Sequence, residues 1–563
     1  MFQYKYDYSI VMGYYNRKTQ TVRTLDKFKE LYCISDKCKY NFEVVIVDDN
    51  STSPHDLTEI VTGYTFPIKY IKISAQEKGD RLNPCSVYNK GFREAEGKIV
   101  MIQNPECIHM NDLLGYLSTN LTENDYLAFS CYNCTSEELT QELLKDNSKI
   151  NDMDYNNRNK ICWYNHPHFR PVHYHFCAAM FNDNLKMLGG FDEEFAKGAW
   201  FDDNEILLSI ANNLRLNIRT LDPSEAGFVV HQWHSRDAES KITKQQHDAL
   251  IDKNRKIFES YVEYHKTYDF RYPKLLHLYW DGSNFSYLNL LTVLSFKRYH
   301  KCWKVNVFCP LYPTKGQSWT TCEQKEAYTG PNYFDELKKL TNVNIHYIDF
   351  NNIPFSKKDA SEVIKSDYFR LYILNKYGGL WSDFDIIYTN NVEKYHVERR
   401  PGPKEKRMII YRYHWPEANR YVIPIGLFLC HKNNSILTVI LNNIEQFYNP
   451  DQYQCLGCQM FQFIFNKENY AKAKPILMNM KIAELGMEDA YCYLPMKWNE
   501  LDNMYQDTSV KAISMETNPS VFGVHWFNGA ADAKKYCNQL DLQKIKNCTA
   551  QCLIDELVQK YVT

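Results

Sequence analysis

The sequence lacks long hydrophobic runs and a charge of one dominant sign. No segment approaches 18 consecutive apolar residues, and the first apolar run, Tyr8–Met12, is too short for the core of a signal peptide. The net charge is −2, which gives no indication of a nucleic-acid or anionic membrane partner. These absences predict a cytoplasmic chain with no transmembrane segment and no nucleic-acid partner. They leave the oligomeric state unknown.

The 18 cysteines are scattered along the chain rather than grouped. The two Cys-x-x-Cys pairs, Cys131 with Cys134 and Cys455 with Cys458, have no further ligands nearby at the spacing of a zinc site. We therefore expect free structural thiols, and a zinc or redox pair is the less favoured alternative.

The composition supports several folded domains. The 563 residues are 44% apolar and 15% aromatic, enough for two to four domains with large cores. In the first half, strand-like and helix-like segments alternate, which predicts an open α/β sheet that binds ligands at the carboxyl ends of its strands. The predicted strands are Tyr8–Gly13, Phe42–Val47, Ile68–Ile73 and Lys98–Ile102, and the predicted helices are Thr19–Tyr32 and Cys85–Ala95.

Two carboxylates, Asp48 and Asp49, follow the second predicted strand directly. By spacing alone they indicate a turn and a helix cap. The stretches SIVMGYYNR, VVIVDDNST and YNKGFREAEGKIVMIQNPE, however, resemble family 2 glycosyltransferases of the GT-A fold. The resemblance implies that Asp48, Asp49, Arg81 and Asn104 contact a nucleotide sugar. It also implies that Glu106 binds a metal where the family usually has Asp-x-Asp, and the neutral Asn104 predicts weaker metal binding.

An acidic cluster opens a helix predicted at Asn204–Leu214. It follows the stretch LGGFDE in the order found in the same family, and the resemblance implies that it supplies a general base. We expect this base to be Asp203, with Asp202 as the second candidate. A carboxylate at a helix N-terminus is kept ionised by the helix dipole, so it can accept the proton of an attacking hydroxyl. Without the family, these acids indicate a helix start and nothing more.

Histidines follow in two places. His231 and His234 come after an apolar strand, and in related enzymes a histidine at this place completes the metal site. We favour His231 over His234. The segment 165–175, NHPHFRPVHYH, is open to three interpretations: an acceptor-binding loop, plain structure or a zinc cluster, the last being the least favoured.

The second half contains the stretch SDYFRLYILNKYGGLWSDFDIIY, from Ser366 to Tyr388. Its pattern predicts a helix over Ser366–Tyr377, a glycine stop, and a short strand over Leu380–Tyr388. Asp383 and Asp385 lie two positions apart in that strand, so they should share a face. Two carboxylates on one face repel each other unless a cation lies between them, which indicates a divalent metal site.

The same stretch resembles the DXD-containing glycosyltransferases of the family 32 type. The resemblance implies that Asp367, Arg370, Gly378 and Gly379 belong to the nucleotide-sugar site. It places Asp383 toward both ribose and metal, with Asp385 as a direct metal ligand.

Two further stretches resemble the same family. PKLLHLYWDG resembles its first strand, which implies that Tyr279 and Trp280 lie near the nucleotide. The late strand VFGVHW implies that His525 completes the metal site, and that Trp526 packs or contacts the donor.

Together these patterns predict two GT-A-like open-sheet glycosyltransferase domains, at 1–235 and 271–563, joined by a helical segment at 236–270. The resemblances imply one Mn²⁺ or Mg²⁺ per domain, UDP-linked donors, inversion in the first domain and retention in the second. The acceptor is a glycan, a lipid-linked sugar or a protein. One alternative is that the first domain only binds or orients a glycan. Another is a DXD-containing hydrolase or phosphatase-like enzyme.

Overall fold

The computed structural model describes residues 1–34, 37–146, 150, 162–235, 243–268, 270–314, 327–398, 406–415, 419–466, 469–495, 504–505 and 520–539. The chain forms two compact units, Phe2–Glu263 and Tyr264–Thr563. The division falls inside the helix Lys244–Thr267, which lies in the segment predicted as a connector. No helix among the described residues is long and apolar enough to cross a membrane.

The first unit is built around a seven-stranded sheet and a four-stranded sheet. Its strands are β1 (Tyr6–Tyr14), β2 (Cys33–Ile34), β3 (Lys37–Cys38), β4 (Phe42–Asp48), β5 (Ile68–Lys72), β6 (Gly97–Gln103), β7 (Cys107–His109), β8 (Asp125–Ala128), β9 (Ser130–Asn133), β10 (Trp163–Asn165), β11 (Cys177–Phe181), β12 (Asn217–Thr220) and β13 (Phe228–His231). The order is β12-β8-β11-β6-β1-β4-β5 in the large sheet and β10-β9-β13-β7 in the small one. The predicted open α/β class is confirmed.

Helices cover the strands of the first unit. They are Lys18–Tyr32, Ala75–Lys78, Cys85–Glu94, Leu113–Asn120, Glu137–Lys145, Asn182–Leu188, Asp202–Ser209, Pro223–Ala226 and Lys244–Thr267. The helix predicted at Asn204–Leu214 begins two residues earlier and becomes a π-helix at Ile210–Leu214. Asp202 and Asp203, the two candidates for the general base, therefore lie in the first turn of this helix.

Strand register brings the functional segments to one edge of the large sheet. In the parallel strands β1, β4 and β6, Tyr14 lies opposite Asp48 and Met12 lies opposite Gln103. Strand β11 runs antiparallel to β6, with Cys177 opposite Gln103. The segment before β11 consequently reaches the edge at which the parallel strands end.

The second unit has its own open sheet, in the order β16-β15-β14-β17-β21-β19-β20, with β22 beside β19. Its strands are β14 (Leu275–Tyr279), β15 (Lys304–Pro310), β16 (Val343–Ile348), β17 (Gly379–Ser382), β18 (Ile386–Tyr388), β19 (Met408–Trp415), β20 (Arg420–Val422), β21 (Leu427–Cys430), β22 (Leu485–Asp489) and β23 (Gly523–His525). Its helices are Tyr287–Tyr299, Phe334–Lys338, Glu362–Tyr377, Val392–Glu398, Ser435–Asn442, Cys458–Phe465, Tyr470–Leu477 and Ala531–Gln539. The rest of the C-terminal helical cap predicted at 530–563 lies outside the described residues.

The single strand predicted over Leu380–Tyr388 is wrong. Strand β17 ends at Ser382 in the large sheet, and β18 begins at Ile386 and pairs with β23 in a separate two-stranded sheet. Asp383 and Asp385 lie in the turn between them. The rule that residues two apart share a face of a strand therefore does not apply to this pair.

Candidate functional sites

In the first unit, Glu106 faces two histidines. Strand β7 pairs with β13 so that Cys107 lies opposite His231, which brings the preceding Glu106 beside that imidazole. A Glu106 carboxylate oxygen lies 3.3 Å from Nε2 of His231 and 3.4 Å from Nε2 of His234. Burial alone would raise the pKa of Glu106, but the two imidazoles outweigh it and hold that pKa well below the usual range.

The ligand atoms of these three residues all lie within 4.8 Å of one another, and no other such group of three occurs among the described residues. One carboxylate and two imidazoles suit a divalent transition metal. The structure thus brings together all three metal ligands predicted for the first unit. It does not separate His231 from His234, since both face Glu106.

The predicted nucleotide end of the sheet carries compensated carboxylates. Asp48 accepts hydrogen bonds from the Tyr70 hydroxyl at 2.5 Å and from the Ser51 backbone N–H at 2.8 Å. Asp49 pairs with Arg81 at 2.7 Å and with Lys78 at 3.0 Å. Two cations therefore stand at the end of β4. Arg81 was predicted for this site, whereas Lys78 was not, because no spacing links it to Asp49.

Asn104 is held by Tyr88. Its side-chain oxygen accepts a hydrogen bond from the Tyr88 hydroxyl at 3.0 Å, and the same hydroxyl lies 3.1 Å from the Gln103 carbonyl oxygen. Asn104 therefore has a fixed position at the end of β6.

The two candidate bases have different environments. Asp202 is buried and accepts a hydrogen bond from the Asn83 amide at 3.0 Å, and burial together with the neighbouring Asp203 raises its pKa. The Asp203 side chain is 27% exposed. Only a carboxylate that solvent reaches can be reached by an acceptor hydroxyl. This difference favours Asp203 as the base.

His175 is the partner of Asp203. Its Nδ1 lies 2.5 Å from an Asp203 oxygen, and its backbone N–H donates to the same oxygen at 3.0 Å. Burial would lower the pKa of His175, but Asp203 outweighs it and the pKa lies above the usual value. The sequence offered only a histidine-rich segment here. The antiparallel course of β11 singles out His175.

The histidines of 165–175 do not form a zinc cluster. Nδ1 of His166 accepts the backbone N–H groups of His168 and Phe169, and the ring of His173 bonds to the Thr220 hydroxyl at 2.7 Å. The rings of His166, His173 and His175 thus each contact a different partner. The described cysteines are free thiols, including the two Cys-x-x-Cys pairs, as predicted.

In the second unit, Arg370 links two carboxylates. Its guanidinium nitrogens lie 2.9 Å from a carboxylate oxygen of Asp367, one helical turn earlier, and 3.4 Å from one of Asp383, at the end of β17. The guanidinium also lies over the ring of Trp381. Burial raises the pKa of Asp367 to about 7, although Arg370 opposes the shift. The helix residues and the carboxylate predicted for the donor site therefore do meet.

Asp385 turns to a different partner. Its carboxylate lies 3.2 Å from Nε2 of His525 and accepts the Asn528 backbone N–H at 3.0 Å. Burial would raise the pKa of Asp385, but His525 lowers it below the usual value. Asp385 and His525 come together as predicted, whereas Asp383 pairs with Arg370. The three predicted ligands are thus not gathered into one group.

The remaining residues predicted for this site are placed differently. Trp280 and Trp526 are buried, the first against Phe285 and Phe384 and the second fully inside a core cluster, so packing is the role that fits Trp526. The Tyr279 hydroxyl donates to Glu362.

Gly378 and Gly379 lie at the amino end of β17, at the opposite end of the strand from Asp383. Both have positive φ, and a Cβ on Gly379 would lie 2.5 Å from the Leu275 carbonyl oxygen. Close backbone packing is enough to explain both glycines, and their role as nucleotide-sugar contacts stays a prediction.

The two halves of the chain match two different protein families. Residues 9–182 match glycosyl transferase family 2, and residues 331–540 match the capsular polysaccharide synthesis protein family. A family 2 glycosyltransferase domain occupies the N-terminal region. The C-terminal region carries a capsular polysaccharide synthesis domain. The family 32 resemblance of the Ser366–Tyr388 stretch remains a hypothesis.

One curated relative and several solved structures are similar to parts of the chain. The amylovoran biosynthesis glycosyltransferase AmsB of Erwinia amylovora is 30% identical over 93 residues, which are 16% of this chain and 28% of that protein. S. aureus TarS matches with a TM-score of 0.29 and 16% identity, over 44% of this chain and 42% of its own. The mannosyltransferase PcManGT from Pyrobaculum calidifontis, solved with GDP-Man and Mn²⁺, matches with a TM-score of 0.27 and 18% identity, over 42% and 60%.

Proposed function

We propose that this chain is a bifunctional glycosyltransferase of polysaccharide synthesis. Each unit would transfer a sugar from a nucleotide-sugar donor, with UDP as the nucleotide implied by the resemblances. The observation that carries the proposal is the arrangement in the first unit. There, Glu106, His231 and His234 form one group, and Asp203 begins a helix beside His175.

The residues of the first unit divide the work of transfer. Asp203 accepts the proton of the acceptor hydroxyl. At the same time the oxygen of that hydroxyl bonds to C1 of the donor sugar, and the bond from C1 to the diphosphate breaks on the opposite side. The configuration at C1 is therefore inverted. Lys78 and Arg81 place positive charge at the end of β4, where the resemblance places the nucleotide. His175 orients the carboxylate of the base.

A divalent ion such as Mn²⁺ fits the donor set of the first unit. Glu106, His231 and His234 would hold it, and when bound it neutralises charge on the leaving diphosphate. In the second unit, Asp385 and His525 would hold the ion. Asp383 is engaged by Arg370, so that unit offers fewer preassembled ligands.

The second unit is proposed to retain the configuration at C1, and we assign no base there. Asp367 and Arg370 would contact the donor sugar. The acceptor of either unit is a glycan, a lipid-linked sugar or a protein. A second candidate function has one specific observation in its favour. Asn104 is neutral and held by Tyr88, which suits a first unit that binds or orients a glycan without transferring sugar.

Nucleotide release from a panel of nucleotide sugars, with Mn²⁺ and with simple sugar acceptors, tests the proposal. We expect two active donors, one lost in Asp203→Asn and the other in Asp385→Asn. The exposed Asp252 and Asp335 supply matched controls, and their Asn variants should keep both activities. A single donor, lost only in Asp385→Asn, would favour the binding role of the first unit. Phosphate release from simple esters without any sugar transfer would overturn the proposal.

A further inference from the structure

A cavity of about 800 Å³ opens beside Asp367, Arg370 and Asp383 in the second unit. This volume falls within the range of about 300–1,000 Å³ typical of small-molecule sites. Its lining extends past the carboxylates to a β-hairpin and to residues in and around the helix Cys458–Phe465. The hairpin and the helix belong to none of the motifs that predicted the donor site.

The hairpin β19–β20 turns one face to this cavity. Tyr413 pairs with Val422, and Trp415 pairs with Arg420, and all four line the cavity. Tyr421, with 47% of its surface exposed, belongs to the other face and packs against Arg412. The wall therefore offers two aromatic side chains, and the Trp415 ring is 41% exposed.

A second part of the cavity lining is rich in primary amides. The lining amides are those of Gln452, Gln454, Gln459, Gln462 and Asn469. Gln452 and Gln459 bond to each other. Among the described residues, the side-chain amides of Gln454 and Gln462 have no hydrogen-bond partner. Gln454 also has a positive φ of 56°, a strained conformation that is costly unless its surroundings require it.

Two buried oxygen atoms of the cavity lining also lack a hydrogen-bond partner among the described residues. They are Oδ2 of Asp367, a residue that is 2% exposed, and the hydroxyl of Tyr493, which is fully buried. Buried polar atoms are normally paired, because an unpaired one costs about 1–3 kcal/mol. An unpaired donor and an unpaired acceptor in one cavity indicate ligands that both donate and accept hydrogen bonds. Asp367 lies where the donor sugar is proposed to bind, so the hairpin and the amides are the part of the lining left for an acceptor.

We propose that this cavity binds the acceptor of the second unit, and that this acceptor presents a neutral sugar residue. The sugar would lie between the Tyr413–Trp415 face of the hairpin and the amides of Gln454 and Gln462. The proposal rests on the transfer function proposed above for the second unit. It narrows the three acceptor classes to the two that present a sugar, a glycan and a lipid-linked sugar.

The chemistry of the walls separates a sugar from the other acceptors. Primary amides donate and accept hydrogen bonds in the way that sugar hydroxyls require, and aromatic side chains cover apolar ring faces. A lipid chain would leave the amides unpaired, at a cost in free energy. An anionic sugar would meet the carboxylates of Asp367 and Asp383. Against them the lining offers Arg370, which pairs with both, and Arg420, which stacks on the Trp415 ring.

The test uses the full chain and saturation-transfer NMR. The probes are the methyl glycosides of glucose, galactose and mannose, with glucuronate and dodecyl phosphate as competitors of other classes. We expect saturation transfer to at least one neutral glycoside. Its binding should be about tenfold weaker in Gln462→Leu and in Trp415→Ala. A tenfold loss of affinity equals the free energy of about one hydrogen bond. The matched controls are Gln446→Leu and Tyr421→Ala. Gln446 bonds to Asn443 away from the cavity, and Tyr421 lies on the other hairpin face.

The part of UDP binding that Asp385→Asn removes, followed by thermal shift on the same samples, separates the two levels of the proposal, because the first unit is also proposed to bind UDP. Neutral glycosides that bind wild type and both controls, but bind Gln462→Leu and Trp415→Ala weakly, would support the inference. Preference for glucuronate or dodecyl phosphate, or no glycoside signal while UDP still binds, would overturn it and leave the transfer function standing. Loss of both UDP and glycoside binding in wild type would overturn both.

Discussion

The two units balance the charge of their buried carboxylates differently. In the first unit, Glu106 faces two imidazoles that can lose a proton and become metal ligands. In the second, Asp383 faces Arg370, a cation that never gives up its charge. The first arrangement is therefore ready to accept a cation. The second already contains one, and only Asp385 and His525 are left for a metal.

This comparison teaches that similar motifs need not give similar sites. Asp383 and Asp385 look like the clearer metal pair in the sequence, but the turn between β17 and β18 sends them to different partners. The weaker-looking stretch around Asn104 and Glu106 gives the assembled cluster.

The largest effect should come from Asp203→Asn. Removal of a general base typically costs about 10²–10⁴-fold in rate, so transfer by the first unit should fall by that factor while transfer by the second is unchanged. Steady-state kcat with each donor measures it. Asp252→Asn is the control. An equal fall in both activities would break the comparison by showing that the units depend on each other.

Arg370→Met should destabilise the second unit strongly. It leaves the buried Asp367 without its cation, and loss of one partner of a buried pair costs about 3–5 kcal/mol. Urea unfolding of the full chain measures the change. Arg412→Met, on the outer hairpin face, should cost far less. Equal stability of wild type and Arg370→Met would show that the arginine is not the charge partner.

Glu106→Gln should weaken Mn²⁺ binding by the first unit. It removes a ligand, so the loss should exceed the about 10–100-fold typical of an outer partner. Calorimetric Mn²⁺ titration of the full chain measures it. Arg370→Lys serves as a contrast, because it keeps the charge in the second unit. If Mn²⁺ affinity depended on Asp385 alone, the first unit would not be the better metal site.

The smallest effect should come from His175→Gln, and it should depend on pH. The folded-state pKa of His175 lies above its ordinary value near 6.5, because the Asp203 contact outweighs burial. Its contribution to stability is therefore fully present below pH 6.5 and is lost as pH rises through the folded-state pKa.

Melting temperatures measured from pH 5.5 to 9 test this dependence. The gap between wild type and His175→Gln should be widest at low pH and should close at high pH. His168→Gln, whose imidazole is exposed, is the control and should show a much smaller gap at low pH. A gap for His175→Gln that does not change with pH would mean that the imidazole acts by packing alone. The pH profile of kcat should shift in the same variant, because His175 orients the base.

Local pattern determined the elements and some of the site. Apolar alternation predicted the central strands, and the position of Asp202 and Asp203 at a helix start follows from the enrichment of acidic residues in first helical turns. The contact of Asp367 with Arg370 follows from their i,i+3 spacing on one helix. Each of these depends on residues close together in the chain, for which helix and strand periods suffice.

Only the tertiary structure decided the contacts between distant segments. Glu106 meets His231 because β7 and β13 pair in antiparallel fashion. His175 precedes β11, whose antiparallel course beside β6 brings it to the end of the sheet where it contacts Asp203. The amide wall meets the hairpin face through packing that no periodicity records. The same holds for Gly379, where a Cβ would lie 2.5 Å from the Leu275 carbonyl oxygen of another strand. Sequence patterns encode local geometry, whereas the long-range fold sets which of these side chains come close enough to act together.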